Sequence, residues 1–347
     1  MFKEVPRIEI DEIVDKAFKN AKKKALSSKK NINEMVKEKE SIRVTIAGEN
    51  LAESLYKVVD RYPSFDRLPP FTRELIDIIV GIDKLRHNLG AVSFAVNTIN
   101  SIKIEYIKNI RRSKSSQDAS YLRKECYGRY ISILKQIEKN LKFLNNARDR
   151  LKNLPSINPD LYTVVIAGFP NVGKSSLLKA LTNSEPEINS YPFTTKGINV
   201  SSFNYNKRKI QVVDTPGLLD RELSFRNPIE LQAISALKYL AKLIVFVFDP
   251  TESCGYSMEQ QLNLYKEISD SFIGIPFIKV LNKADLKEWG FKEGIDGIKI
   301  SAQDGANIDE LKKKIEEILF NYFEEEVDYF GKNWGRFQRH NRFFKNF

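Results

Sequence analysis

Residues 161–167, Leu-Tyr-Thr-Val-Val-Ile-Ala, open directly onto Gly168-Phe169-Pro170-Asn171-Val172-Gly173-Lys174-Ser175-Ser176. A short apolar run rich in β-branched residues reads as a buried strand, and the segment after it fits the spacing G-x-x-x-x-G-K-[ST]. Glycines let the backbone turn tightly enough for its amides to meet phosphate oxygens. Lys174 then supplies a cation for the outer phosphates, and the Ser175 hydroxyl supplies one ligand for a magnesium ion. Residues 175–181 continue with the pattern of a helix. Strand, glycine-rich loop and helix in that order predict an α/β, doubly wound sheet that holds a nucleotide at the carboxyl ends of its strands.

Outward from this segment, runs at 198–203, 209–213, 243–248, 277–281 and 297–300 bring the expected strands to six, with helical stretches between them for both faces. The run at 277–281 ends in Asn282-Lys283-Ala284-Asp285. A carboxylate at a strand end accepts two hydrogen bonds from the ring amide and amino group of guanine, a donor pair that adenine lacks. Ser301-Ala302, after the last run, would close its backbone over the base. These segments read together as a pocket for GTP or GDP. The other reading of Asp285 is a cap on a helix beginning at Leu286.

Two segments lie where a γ-phosphate would be sensed. Asp214-Thr215-Pro216-Gly217 follows the run at 209–213, so Asp214 can hold magnesium through water while the Gly217 amide meets the γ-phosphate. Upstream, Tyr191-Pro192-Phe193-Thr194-Thr195-Lys196 offers a hydroxyl to the same ion, with Thr195 favoured over Thr194; an ordinary turn into the next strand is the alternative. The residue after Gly217 is Leu218, which can neither donate nor accept, where many GTPases carry a glutamine that orients water. Slow unaided hydrolysis follows, with help either from an activating protein or from potassium ligated by the Asn171 side chain. Asn171 can equally serve the turn of its own loop.

These motifs, with Gln211 to Asp220 and Arg226 to Leu237, resemble the nucleolar GTP-binding (Nog) family, a branch of the Obg-related GTPases. The resemblance extends upstream through Asp60 to Phe71 and Leu154 to Pro159, and covers about residues 1–325. It implies a role in assembling the large ribosomal subunit, with pre-ribosomal RNA and large-subunit particles as partners and no DNA. Eukaryotic members continue into a long carboxy-terminal region and this chain ends at Phe347, so the resemblance is to a shorter, archaeal-type member.

The 347 residues, 42% of them hydrophobic, are enough for about two cores. No stretch reaches the length of a membrane span, Met1 to Pro6 lacks a signal-peptide core, and Cys126 and Cys254 stand apart; a cytoplasmic protein without membrane contact is expected. Charge divides sharply. Residues 1–160 hold 32 Lys+Arg against 21 Asp+Glu, residues 161–330 hold 19 against 24, and the last seventeen hold five against none. Basic flanks around a mildly acidic centre suit docking on a polyanion, or simply keep helix surfaces soluble.

Expected domains are a basic all-α helical bundle at 1–158, the GTP-binding domain at 159–325, and a basic-aromatic tail at 326–347. Within the bundle, helices are expected at 11–26 and 31–61. An apolar stripe from Ile78 to Ile110 predicts a long helix with a bend at Gly90, and a second long helix is expected at 118–153. Arg123, Lys124, Arg129, Lys135, Lys139, Lys142, Arg148, Arg150 and Lys152 decorate that second helix, some of them facing solvent. In the tail, aromatic and basic residues alternate from Trp334 to Phe347, a pattern for stacking on unpaired RNA bases or for packing on the bundle. The leading expectation is a magnesium-dependent GTPase that changes its hold on pre-ribosomal RNA. The other is a nucleotide-gated module whose bundle binds a protein.

Overall fold

The computed structural model describes residues 2–24, 31–152, 154, 157–158, 161–189, 191, 197–286 and 295–333, and at 229 and 321–333 the backbone alone. The chain forms two compact units, Met1–Asn153 and Leu154–Phe347.

The first unit is built, among its described residues, from helices and loops without a strand: α1 (Ile10–Lys24), α2 (Ile32–Arg61), α3 (Pro70–Ile79), α4 (Ile82–Arg112), α5 (Ser116–Gln136) and α6 (Glu138–Leu151). The ends follow local chemistry. Asn31 accepts from the amides of Asn33 and Glu34 to start α2, and Ser115 and Asp118 form a reciprocal capping box at the start of α5. α2 packs on α1, α4 and α5. Contacts Glu105–Arg129 and Asn88–Asn140 run in opposite order along the two stretches they join, so the chain doubles back between α4 and α5.

Two features depart from expectation. The stripe from Ile78 to Ile110 is interrupted at Gly81, whose φ of 86° lies in the left-handed region. α4 then runs unbroken through Gly90. The helix expected at 118–153 is divided at Ile137, with φ −95° and ψ 7°. Leu134, Ile137, Leu141, Leu144 and Leu151 are nevertheless all buried, so one apolar face continues across the break.

The second unit contains β1 (Tyr162–Ala167), α7 (Lys174–Thr182), β2 (Glu187–Asn189), β3 (Ile198–Tyr205), β4 (Arg208–Asp214), α8 (Pro228–Leu237), β5 (Leu243–Phe248), α9 (Met258–Ser271), β6 (Phe277–Leu281), β7 (Ile298–Lys299) and α10 (Ile308–Asn333). Among the described residues seven strands form one sheet in the order β2-β3-β4-β1-β5-β6-β7. β1 pairs in parallel with β4 and β5, and the parallel array continues through β6 to β7. The order reverses about β1, the first strand of the parallel array, and the carboxyl end of the strands at such a switch point is where ligands bind in sheets of this kind. β2 and β3 add on antiparallel, so the sheet is mixed and one strand larger than the six expected. β2 is only three residues long, too short for a periodic signal. The expected final helix continues past Phe323 to Asn333.

Candidate nucleotide-binding site

β1 delivers the glycine-rich loop to this end of the sheet, and α7 begins at Lys174 itself. Gly168 and Gly173 have φ of 135° and 99°; a Cβ at the first would press on the Val247 carbonyl, and at the second would strike the Asn282 side-chain amide. Both positions therefore require glycine. Phe169 is buried and stacks on Tyr256 at 4.0 Å between ring centroids. The buried Lys174 ammonium donates to the carbonyls of Gly168 (2.8 Å) and Phe169 (2.7 Å). Burial pushes its pKa down, while Asp214 and Asp220 pull it back up. Pro170 and Val172 complete the loop, and Ser176 lies exposed in the first turn of α7.

The Ser175 hydroxyl donates to Asp214 Oδ2 at 2.8 Å, and the Asn199 amide donates to the same oxygen at 3.1 Å. Asn199 reaches it because β3 and β4 register Asn199 opposite Asp214. Asp214 is fully buried, and its Oδ1 has no hydrogen-bond partner. A buried carboxylate oxygen left unpaired is costly, and a divalent cation or a water bound to one would satisfy it. Asp214 and Ser175 thus fit a magnesium site on the chemistry of their own atoms.

At the base end, Asn282 joins two segments. Its amide donates to the Val172 carbonyl and its carbonyl accepts from the Ala302 amide, each at 2.9 Å. The Ser301 hydroxyl donates to Asp285 Oδ1 at 2.7 Å, and Asp285 is exposed. The helix that Asp285 would cap falls largely on 287–294, outside the described residues. Lys283, with φ 64°, donates from its ammonium to Asp249 Oδ2 (2.7 Å) and to the Ser253 hydroxyl (2.8 Å). Burial alone would raise the Asp249 pKa, but hydrogen bonds from Lys283, Thr251 and the Cys254 amide outweigh it and hold the carboxyl below its ordinary value.

Between these ends, Thr215 and Leu218 are fully buried. The Gly217 amide donates to Asp220 Oδ2 at 2.7 Å. Arg226 donates to the carbonyls of Gly217 (2.5 Å) and Leu218 (2.6 Å) and meets Asp220 Oδ1 at 3.3 Å. Pro216 is half-buried in the same turn. Thr194 and Thr195 lie outside the described residues; Tyr191, just before them, donates to the Ala233 carbonyl at 2.9 Å. Asn171 is exposed with φ 62°, a left-handed backbone that asparagine tolerates, which gives the turn-forming reading a physical basis.

The chain has known relatives. The family model of the NOG1 N-terminal helical domain matches residues 2–158, and that of nucleolar GTP-binding protein 1 matches residues 228–285. The chain belongs to the nucleolar GTP-binding protein 1 family. Its second unit is a P-loop GTPase fold. An uncharacterized protein of Methanocaldococcus jannaschii is 47% identical over 289 residues, 82% of this chain and 81% of that one. Nucleolar GTP-binding protein 1 of Drosophila melanogaster is 34% identical over 70% of this chain but only 37% of its own length. The chain thus spans well under two thirds of the eukaryotic relatives. A crystal structure from Plasmodium falciparum, assigned to nucleolar GTP-binding protein 1, is 31% identical over 50% of this chain and 94% of that one, with a TM-score of 0.44. Among the described residues no helix is long and apolar enough to cross a membrane.

Four residues of this region are given no role by the sequence reading. Asp249 stands at the carboxyl end of β5, a position that could have marked it. Asn199 is brought in by strand register, while Asp220 and Arg226 lie in segments that carry the family resemblance, which assigns neither of them a role.

Proposed function

We propose that this chain hydrolyses GTP and acts as an assembly factor for the large ribosomal subunit through contacts with ribosomal RNA. The observation that carries the catalytic half is the buried, unpartnered Asp214 Oδ1 beside the Ser175 hydroxyl, at the carboxyl end of β4. In this reading the loop from Gly168 to Ser175 holds the phosphates, with Lys174 turning its ammonium from loop carbonyls to the outer phosphates. Asp285 reads guanine, Ser301 and Ala302 border the base, and Thr195 adds a second hydroxyl for the metal. A magnesium ion bound at Ser175 and Asp214 would neutralise charge on the β- and γ-phosphates. Buried Leu218 cannot orient a water, so unaided turnover is slow and is raised by potassium at Asn171 or by a group from an activating protein.

The RNA half is supported by family membership and by the α5–α6 stretch. Arg123 pairs with Glu40, Arg129 with Glu105, Lys142 with Glu138, and Arg148 and Lys152 with Asp149. Lys124, Lys135, Lys139 and Arg150 are exposed and, among the described residues, make no salt bridge, although Lys135 lies near enough to Glu138 to help Lys142 lower its pKa. Lys124 to Lys135 and Lys139 to Arg150 are each eleven positions apart, about three helical turns, so each pair shares a helix face. The test is co-sedimentation of the full chain with large-subunit particles in GTP, GDP and ATP. Binding that follows guanine nucleotide state supports the proposal. Absence from particles in every nucleotide would instead favour the protein-binding module.

A further inference from the structure

The Gly217 amide is the donor expected to meet a γ-phosphate, and here a carboxylate of the same chain holds it. Asp220 Oδ2 accepts from that amide at 2.7 Å, a charge-assisted contact of the length that a phosphate oxygen would make. The arrangement is braced from behind. Arg226, whose side chain is wholly buried, contacts Asp220 Oδ1 and also holds the carbonyls of Gly217 and Leu218, so one guanidinium fixes both the carboxylate and the turn it caps. Gly217 has φ 82°, and a side chain would strain the backbone that aims this amide.

We infer that Asp220 selects between nucleotide states: its carboxylate stands in for a γ-phosphate oxygen on the Gly217 amide, so a triphosphate must displace it and a diphosphate need not. This rests on the GTP reading and on the role given to Gly217. The carboxylate also bears on the phosphate end electrostatically, since Asp220 is among the charges that sustain the Lys174 ammonium against burial. An incoming γ-phosphate therefore meets both a taken donor and a like charge. Asp220 lowers affinity for GTP relative to GDP and releases the turn only when the third phosphate is present. It is a positioning and selecting residue, and it takes no part in bond breaking.

The test measures binding of fluorescent GDP and a fluorescent non-hydrolysable GTP analogue to the full chain with magnesium, for wild type, Asp220→Ala and Asp220→Asn. Removal of the competing charge-assisted bond should tighten the analogue about tenfold in Asp220→Ala and leave GDP within about twofold. Asp220→Asn keeps the shape and loses the charge, and should shift the same ratio less. A merely structural role would move both nucleotides together, and that outcome, or an unchanged ratio, overturns the inference. A wild type that binds neither nucleotide overturns the GTP reading and this inference with it. Should the variants not fold, the unmodified chain decides: the Asp220 side-chain carboxyl carbon resonance should move with the analogue and stay in place with GDP. An identical response to both overturns the inference.

Discussion

The Ser301 hydroxyl donates to one oxygen of the exposed Asp285 carboxylate. If Asp285 reads guanine, Asp285→Asn exchanges an acceptor for a donor. GTP affinity should fall by about 3 kcal/mol, roughly a hundredfold, while xanthosine triphosphate, whose extra carbonyl suits the asparagine amide, should gain. Competition binding with both nucleotides measures this; unchanged GTP affinity would remove Asp285 from the base site. Leu218 and Asn171 separate the routes to hydrolysis. Leu218 is buried and apolar, so Leu218→Ala should leave basal turnover within a few-fold of the parent. Potassium at Asn171 would make turnover faster in potassium than in sodium, and Asn171→Ala would erase the difference; equal rates in the two salts would leave the activating protein as the source of help. Glycines, lysine and serine of the 168–175 loop were legible because their spacing along neighbouring positions of the chain is itself the pattern. Asp220 and Arg226 were not, because their meaning depends on a loop folding back on itself.

Helix boundaries in the first unit show where periodicity stops being informative. Caps at Asn31 and Ser115 are local chemistry and can be read from the chain. The break at Ile137 has no glycine or proline to mark it, and the apolar stripe passes through it undisturbed. Gly90 carried the expectation of a bend and proves to be an ordinary helical position, with nothing within 4 Å of where a Cβ would stand. Gly90→Ala should therefore stabilise the chain by about 0.5–1 kcal/mol through helix propensity alone. Gly48 in α2 is the opposite case: a Cβ there would lie 2.6 Å from the hydroxyl of the fully buried Tyr130. Gly48→Ala should cost about 1–3 kcal/mol by overpacking. Denaturant melts of the two variants compare them directly, and a Gly48→Ala chain as stable as its parent would mean that Tyr130 yields without cost. The added strand β2 and the antiparallel β3 belong with Ile137: three residues are too few to declare a strand, and strand direction is a property of the assembled sheet.

Across the whole molecule, net charge of +11 is the most visible property of the chain, yet its useful part is small. Most cations counted along α5 and α6 are already matched by carboxylates, which composition cannot reveal because partners such as Glu40 and Glu105 come from other helices. The exposed, unmatched set is what an RNA backbone would meet. Replacing Lys124, Lys135, Lys139 and Arg150 by Glu should weaken ribosomal RNA binding and flatten its salt dependence, each lost phosphate contact removing about 0.7–0.9 from the log–log slope. GTP affinity should not change. Filter binding of the full chain at several salt concentrations gives both quantities. A slope unaffected by four reversals would exclude these four residues as the RNA contact.

Asn282 ties the glycine-rich loop at Val172 to the Ser301-Ala302 segment, through one side chain with a bond at each end. In the proposed reading a nucleotide is in effect a two-headed ligand, and this strut would fix the distance between the places where its heads are received. Once either head has docked, the other meets its partner at high effective concentration rather than by a second search. Guanosine alone or inorganic pyrophosphate alone would be held weakly, while the molecule that joins them collects both contacts with little further loss of freedom. On the same reading release would not be stepwise: a head that let go would remain beside its own receptor until the other had gone too.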